Sequence, residues 1–176
     1  MIKKVGFRIK GQSALLMHRF PFEPIEAIEK KTAEEQAEYA AYRHSQTKEL
    51  FIPANALQRE LVSAATYSKG KGRASLQKPV AACVMVEPEY LLLGKKNYEI
   101  DLRPVVVPAT KGRIMRARPR LDEWEVEGQI SYDDSILKET ELRKVVDDAG
   151  SRVGLLDFRP EHKGPFGRFI VVEWRA

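Results

Sequence analysis

The chain has 176 residues, 43% hydrophobic and 31% charged, with 30 basic against 25 acidic side chains for a net charge of +5. That is one domain's worth of chain with material for a core, and it excludes disordered, collagen-like and coiled-coil classes. No apolar run approaches the ~18 residues of a membrane span, and the first ten residues lack a leader's apolar stretch, so a cytoplasmic protein without a membrane partner is expected.

In chain order, Val5, Phe7 and Ile9 alternate with Gly6, Arg8 and Lys10, the period of a half-buried strand over Ile2 to Lys10. The segment Glu23 to Arg43, rich in Glu, Ala and Lys, predicts one surface helix. Leu57, Leu61, Val62 and Ala65 fall at helical spacing behind Pro53 and predict a helix from Ala54 to Tyr67. Residues 68–78 read as an exposed basic loop, Val80 to Leu93 as strand with a bend at Glu87-Pro88-Glu89, and Tyr98 to Val107 as another strand. A basic tract from Pro108 to Arg120 follows and reads as a protruding hairpin or arm. Trp124 to Tyr132 alternates cleanly as strand. Ser135 to Ala149 predicts a helix capped from Asp133-Asp134-Ser135, with short strands expected over Arg152 to Leu155 and Gly167 to Trp174. The whole reads as a single α+β domain of residues 1–176, a ferredoxin-like (RRM-like) antiparallel sheet covered by helices, with loop 68–78 and arm 108–120 as insertions.

Charge is segregated along the sequence. Between Leu102 and Leu121 stand six cations, Arg103, Lys111, Arg113, Arg116, Arg118 and Arg120, with no acid, whereas Asp122 to Asp148 carries ten acids against three cations. Unopposed cations repel one another unless something anionic neutralises them, as in a nucleic-acid binder. Lys69, Lys71, Arg73, Arg113, Arg116, Arg118 and Arg120 are therefore expected on phosphates.

The segment Val153 to Phe169 mixes glycines, aromatics and cations, the composition that lets backbone approach a strand while side chains stack on bases. It adds Arg159, Lys163, Gly164, Phe166, Gly167 and Arg168 to the candidate nucleic-acid contacts. A structural loop anchored by Phe166 and Phe169 accounts for the same residues equally well. Phe20 and Phe22, flanking Pro21, suit either base stacking or a protein interface.

Nothing in the sequence points to a cofactor or metal, and a single cysteine, Cys83, excludes a disulfide within the chain and a cysteine-based zinc site. His18, His44 and His162 stand in no metal-ligand spacing, and no catalytic residue is assigned.

The strand-first order, the helix start Ile52-Pro53-Ala54-Asn55-Ala56-Leu57-Gln58-Arg59-Glu60-Leu61 and the C-terminal Gly164-Pro165-Phe166-Gly167-Arg168-Phe169 together resemble the RAMP superfamily of CRISPR-associated RNA-binding proteins, over about a third of the chain. The resemblance implies a ferredoxin-like core and single-stranded RNA, in preference to DNA, gripped within a homo- or hetero-oligomeric ribonucleoprotein; because some members of the superfamily cleave RNA without metal, it also implies cleavage through His18 or His44 as the minority alternative. The competing expectation is an assembly protein of a phage-like or CRISPR-like particle, whose basic arm docks on a neighbour's acidic surface.

Overall fold

The computed structural model describes residues 1–20 and 22–176, and of Ile25 the backbone alone. Strand β1 (Ile2–Gly11) buries Val5, Phe7 and Ile9 and turns Arg8 and Lys10 outward. After β2 (Leu15–Leu16), the single helix expected over Glu23 to Arg43 is two, α1 (Ile25–Glu29) and α2 (Ala33–Ala40). The break falls where Thr32 Oγ1 accepts the Glu35 N–H at 3.2 Å, an N-cap that restarts the helix.

Strand β3 (Phe51–Pro53) runs into α3 (Ala54–Ala64), which tightens into a 3-10 turn ending at Tyr67, as expected. Helix α4 (Gln77–Cys83) is new. Pro79 lies within its first turn, where a missing N–H costs nothing. Strands β4 (Met85–Glu87) and β5 (Tyr90–Leu92), the hairpin β6 (Glu99–Val106) and β7 (Arg113–Leu121), and β8 (Glu125–Asp133) follow.

Helix α5 (Glu139–Asp148) starts four residues later than the composition suggests. Asp133 spends its carboxylate on a local turn, accepting from the Ser135 N–H at 3.0 Å and Oγ at 2.7 Å. Glu141 instead accepts the Lys138 N–H at 2.9 Å and opens the helix. The strand expected over Arg152 to Leu155 is absent; residues Ala149–Val153 extend α5 as a wider helical turn, closed at Gly154, and β9 (Phe169–Arg175) completes the chain.

The main sheet has the order β4-β8-β1-β9, with every pair antiparallel. The unit β1-α3-β4 is split by β8, and the unit β8-α5-β9 is split by β1. Two interleaved split β-α-β units define the ferredoxin-like fold. Leu57, Leu61 and Ala64 of α3 and Leu142, Val145 and Val146 of α5 close one face over Val5, Phe7, Ile9, Val126 and Ile130. The insertions form a three-stranded sheet β2-β7-β6 and the pair β3-β5.

The other face of the main sheet is open and electrically satisfied from within. Arg8 bonds Glu173 at 2.9 Å and approaches Glu127 at 4.0 Å, while Lys4 reaches Glu87 at 3.5 Å. Its outward positions on β1 and β8 are Lys4, Gly6, Arg8, Lys10, Glu125, Glu127, Gln129 and Ser131, so those two central strands offer no aromatic ring of the kind an RRM stacks on bases.

Candidate nucleic-acid interface

The basic tract forms a true hairpin, with Val106 opposite Arg113 and Glu99 opposite Arg120. Its root is packed. Strand β7 lies between β2 and β6, and α2 docks on it through the Ala117 N–H, which donates to Gln36 Oε1 at 3.1 Å. Arg116 and Arg118, expected on phosphates, are accordingly only 8% and 6% exposed. The Arg118 guanidinium bonds the Asp157 carboxylate, and His18 Nδ1 stands 3.7 Å from the same oxygen. Burial works to raise Asp157, and His18 and Arg118 together outweigh it and hold the carboxyl below its usual range.

Arg120 is shared between Asp122 at 2.8 Å and Asp101 at 3.4 Å. Arg103, counted among the unopposed cations but not among the expected phosphate contacts, bonds Asp101 at 2.6 Å and lies 4.7 Å from the Phe166 ring centroid, with Arg120 5.4 Å away from it. The hairpin register, which sets Arg103 opposite Arg116, is the signal that would have found it. At the tip, Lys111 and Arg113 are exposed.

The C-terminal loop closes on its own protein. Phe166 is 4% exposed and Phe169 1%, the anchoring arrangement anticipated as one of two alternatives. A Cβ on Gly164 would run into the Phe158 carbonyl, and one on Gly167, which has φ +79°, into the Leu155 backbone; these glycines serve close packing of the chain against itself. Arg159 bonds Glu161 at 3.1 Å and the Leu156 carbonyl at 2.9 Å. Lys163 and Arg168 remain at the surface.

Loop 68–78 is pinched by the Lys69 to Ser75 bridge and leaves Lys69, Lys71 and Arg73 exposed. It is not brought together with the hairpin. It borders Asp134 to Leu137, beside the start of β1, whereas Arg168 and Gly167 bond Gln12 and Ala14 beyond the end of β1. Ten residues of β1 separate these sites by roughly 30 Å at ~3.3 Å per residue. The acidic stretch is also partly neutralised in place: Asp147 pairs with Arg143 at 3.2 Å, and Asp148 with Lys144 at 3.0 Å and Arg152 at 3.3 Å.

Of the histidines, His44 accepts the Gln46 and Thr47 N–H groups at 3.3 Å and shapes a turn. His162 is exposed on a 3-10 turn. His18 lines an open cleft of about 280 Å³ with Tyr42, Pro53, Asn55, Ala56, Arg59, Glu60, Leu156, Asp157 and Arg159. Phe20 and Phe22 are exposed, the Arg19 guanidinium lies 5.6 Å from the Phe22 ring, and Pro21 between them lies outside the described residues.

Glu60 is 2% exposed, and burial pushes its carboxyl up to about 8 against the opposing charge of Arg159. Because the folded chain holds this proton more tightly than the unfolded one, the stability it lends is fully present below pH 4.5 and is lost as pH rises through about 8. Glu60→Gln cannot ionise and is expected to flatten that decline by about 3 kcal/mol between pH 5 and 8, as read by urea denaturation. Parallel pH profiles for the two proteins would contradict it.

No protein-family model and no curated protein matches the sequence. Among solved structures, the fold is similar to a chain in the cryo-EM structure of the Type III-B Cmr-beta bound to cognate target RNA, with a TM-score of 0.57 and 11% identity over 99% of this chain. Cmr6 from Pyrococcus furiosus aligns with a TM-score of 0.44 and 11% identity, covering 97% of this chain and 98% of that one. The likeness to the Cmr-beta chain agrees with the ferredoxin-like core that the sequence resemblance implied. At these identities the likeness is one of fold. The chain spans 60% of the length of the Cmr-beta chain it matches.

Proposed function

We propose that this chain is an RNA-binding subunit of a ribonucleoprotein that grips single-stranded RNA along the β6-β7 hairpin and the adjoining C-terminal loop. The observation that carries the reading is a run of exposed cations there, Lys111 and Arg113 at the tip and Lys163 and Arg168 at the loop, which among the described residues take no part in cross-strand pairing of the kind that neutralises the open sheet face. A fold shared with a chain of an RNA-bound Type III-B complex supports it. The cations of loop 68–78 form a second contact at the far end of β1. Gly164, Phe166 and Gly167 hold the loop in shape, Arg118 and Arg159 brace it from within through Asp157, Glu161 and the Leu156 carbonyl, and Arg116 is buried in β7.

Fluorescence polarisation of a labelled single strand on nuclease-treated protein tests the reading. RNA binding that weakens steeply between 50 and 200 mM salt, through counterion release, is the expected result. Absence of binding at the lowest salt would refute it.

Assembly with other subunits is favoured by a separate observation. Strand β6 is the outer strand of its sheet and exposes Ile100, Leu102 and Val106, beside Met115, an apolar row on an unpaired edge suited to a neighbouring subunit. Oligomers that persist in sedimentation after nuclease treatment would assign that row to a protein partner; their loss would make RNA the scaffold.

A further inference from the structure

A pocket of about 540 Å³ opens between loop 68–78 and the turn that leads into α5, at the opposite end of β1 from the C-terminal loop. Its floor is apolar. Leu76 and Leu137 are buried beneath it, and Ile136, half exposed, stands at its edge. Both walls are fixed by the chain's own hydrogen bonds. In the loop the Gly70 N–H donates to the Ala74 carbonyl at 3.0 Å and the Leu76 N–H to the Ser68 carbonyl at 2.9 Å. The opposite wall is the turn in which Asp133 accepts from Ser135. A pocket that needs no ordering on binding keeps more of its interaction energy as affinity.

Charge around the pocket is one-sided. Lys71, Lys78 and Lys138 line it and are exposed, and among the described residues none of the three is in an ion pair, unlike Lys3 or Lys144. The two acids of the lining are already engaged. Asp134 holds the Met1 ammonium and Lys3, each at 3.0 Å, and Glu141 accepts the Lys138 N–H at 2.9 Å. Because that last bond closes the start of α5, the attraction for an anion comes from the lysine side chains and not from the helix end. An occupant therefore meets an apolar floor ringed by three free ammonium groups.

We infer that this pocket docks an acidic segment of a partner protein, with one aliphatic or aromatic side chain entering over Leu76 and Leu137 and flanking carboxylates meeting Lys71, Lys78 and Lys138. The buried anchor supplies affinity, and the charged rim supplies orientation and encounter rate. Three lysines would also attract a nucleic acid, and the floor decides between the two. The described lining contains no aromatic ring for a base to stack on, and a base laid there would bury its hydrogen-bonding edges against aliphatic side chains. An aliphatic or aromatic side chain loses nothing in the same place. The inference does not rest on RNA binding by the hairpin. Lys78 and Lys138 play no part in that reading, and Lys69 and Arg73 do not line the pocket, which leaves them to the strand.

The test is fluorescence polarisation of the intact chain with two labelled peptides, Glu-Glu-Leu-Glu-Glu and Glu-Glu-Phe-Glu-Glu. At least one is expected to bind saturably at low salt. Its affinity should fall about tenfold or more when glutamine replaces its glutamates, and again when serine replaces its central residue. Lys78→Glu combined with Lys138→Glu is expected to weaken it by about tenfold or more, and Ile136→Ser by about fivefold. All three positions are exposed, and thermal unfolding checks that the variants fold; where one does not, the peptide comparison decides alone. Failure of both peptides to bind, or binding indifferent to the glutamine, serine and lysine-reversal changes, would overturn the inference. So would a short single-stranded RNA that loses affinity in the Lys78 and Lys138 double variant while neither peptide binds, since the pocket would then belong to nucleic acid. None of these outcomes bears on the hairpin, whose RNA binding is measured with Lys78 and Lys138 intact.

Discussion

Arg118→Ala is expected to destabilise the fold by about 3 kcal/mol, because it strands the Asp157 carboxylate against a buried wall with only His18 for a partner. For a domain of this size that corresponds to a fall in melting temperature of roughly 10 °C. The same change at Arg120, whose pairing with Asp122 is largely exposed, should cost no more than about 1 kcal/mol. Thermal and urea unfolding of the two variants side by side separate a bracing arginine from a surface one. An Arg118→Ala protein as stable as the parent, yet weakened in RNA binding, would return Arg118 to the strand.

The second large effect is on binding. Replacing Lys111, Arg113, Lys163 and Arg168 together with glutamine should lower the slope of log affinity against log salt by close to three, since each single-strand phosphate contact contributes about 0.7. Glutamine suits the test because Lys111 and Lys163 have φ of 58° and 65°, where changes of side-chain branching would add strain. Substituting Lys69, Lys71 and Arg73 should lower the slope by up to two, and only for a strand long enough to reach from the hairpin past the length of β1. A short oligonucleotide should ignore that loop. Equal effects on short and long strands would place the two basic regions on one continuous track, against the geometry described here.

How far the sequence anticipates this structure depends on what each element needs. Strands β1 and β8 are legible because alternation alone dictates which side chains face the helices, and the hairpin because its two arms flank an obvious turn. The ferredoxin-like order follows once those strands and α3 and α5 are in place. The burial of Arg116 and Arg118 is not legible, since it results from β7 being the middle strand of an inserted sheet with α2 laid across it, a tertiary fact that basic composition masks. Gly164 and Gly167 stand out in the sequence, but only the fold shows that the backbone they admit is the protein's own. The cleft escaped notice because its lining comes from four separate segments, around His18, Tyr42, the start of α3 and Leu156. Three of these stand out in the sequence, and only the fold brings them together.

The account's central claim is that RNA lies along the hairpin and C-terminal loop and leaves the open sheet face bare. Ultraviolet cross-linking of the nuclease-treated protein to a single-stranded RNA, with the attached peptides identified by mass spectrometry, tests it most directly. The account predicts cross-links in the hairpin tip, residues 106–113, and in the loop, residues 158–168. Cross-links concentrated on the outward residues of β1 and β8, such as Arg8, Lys10 and Gln129, would contradict it.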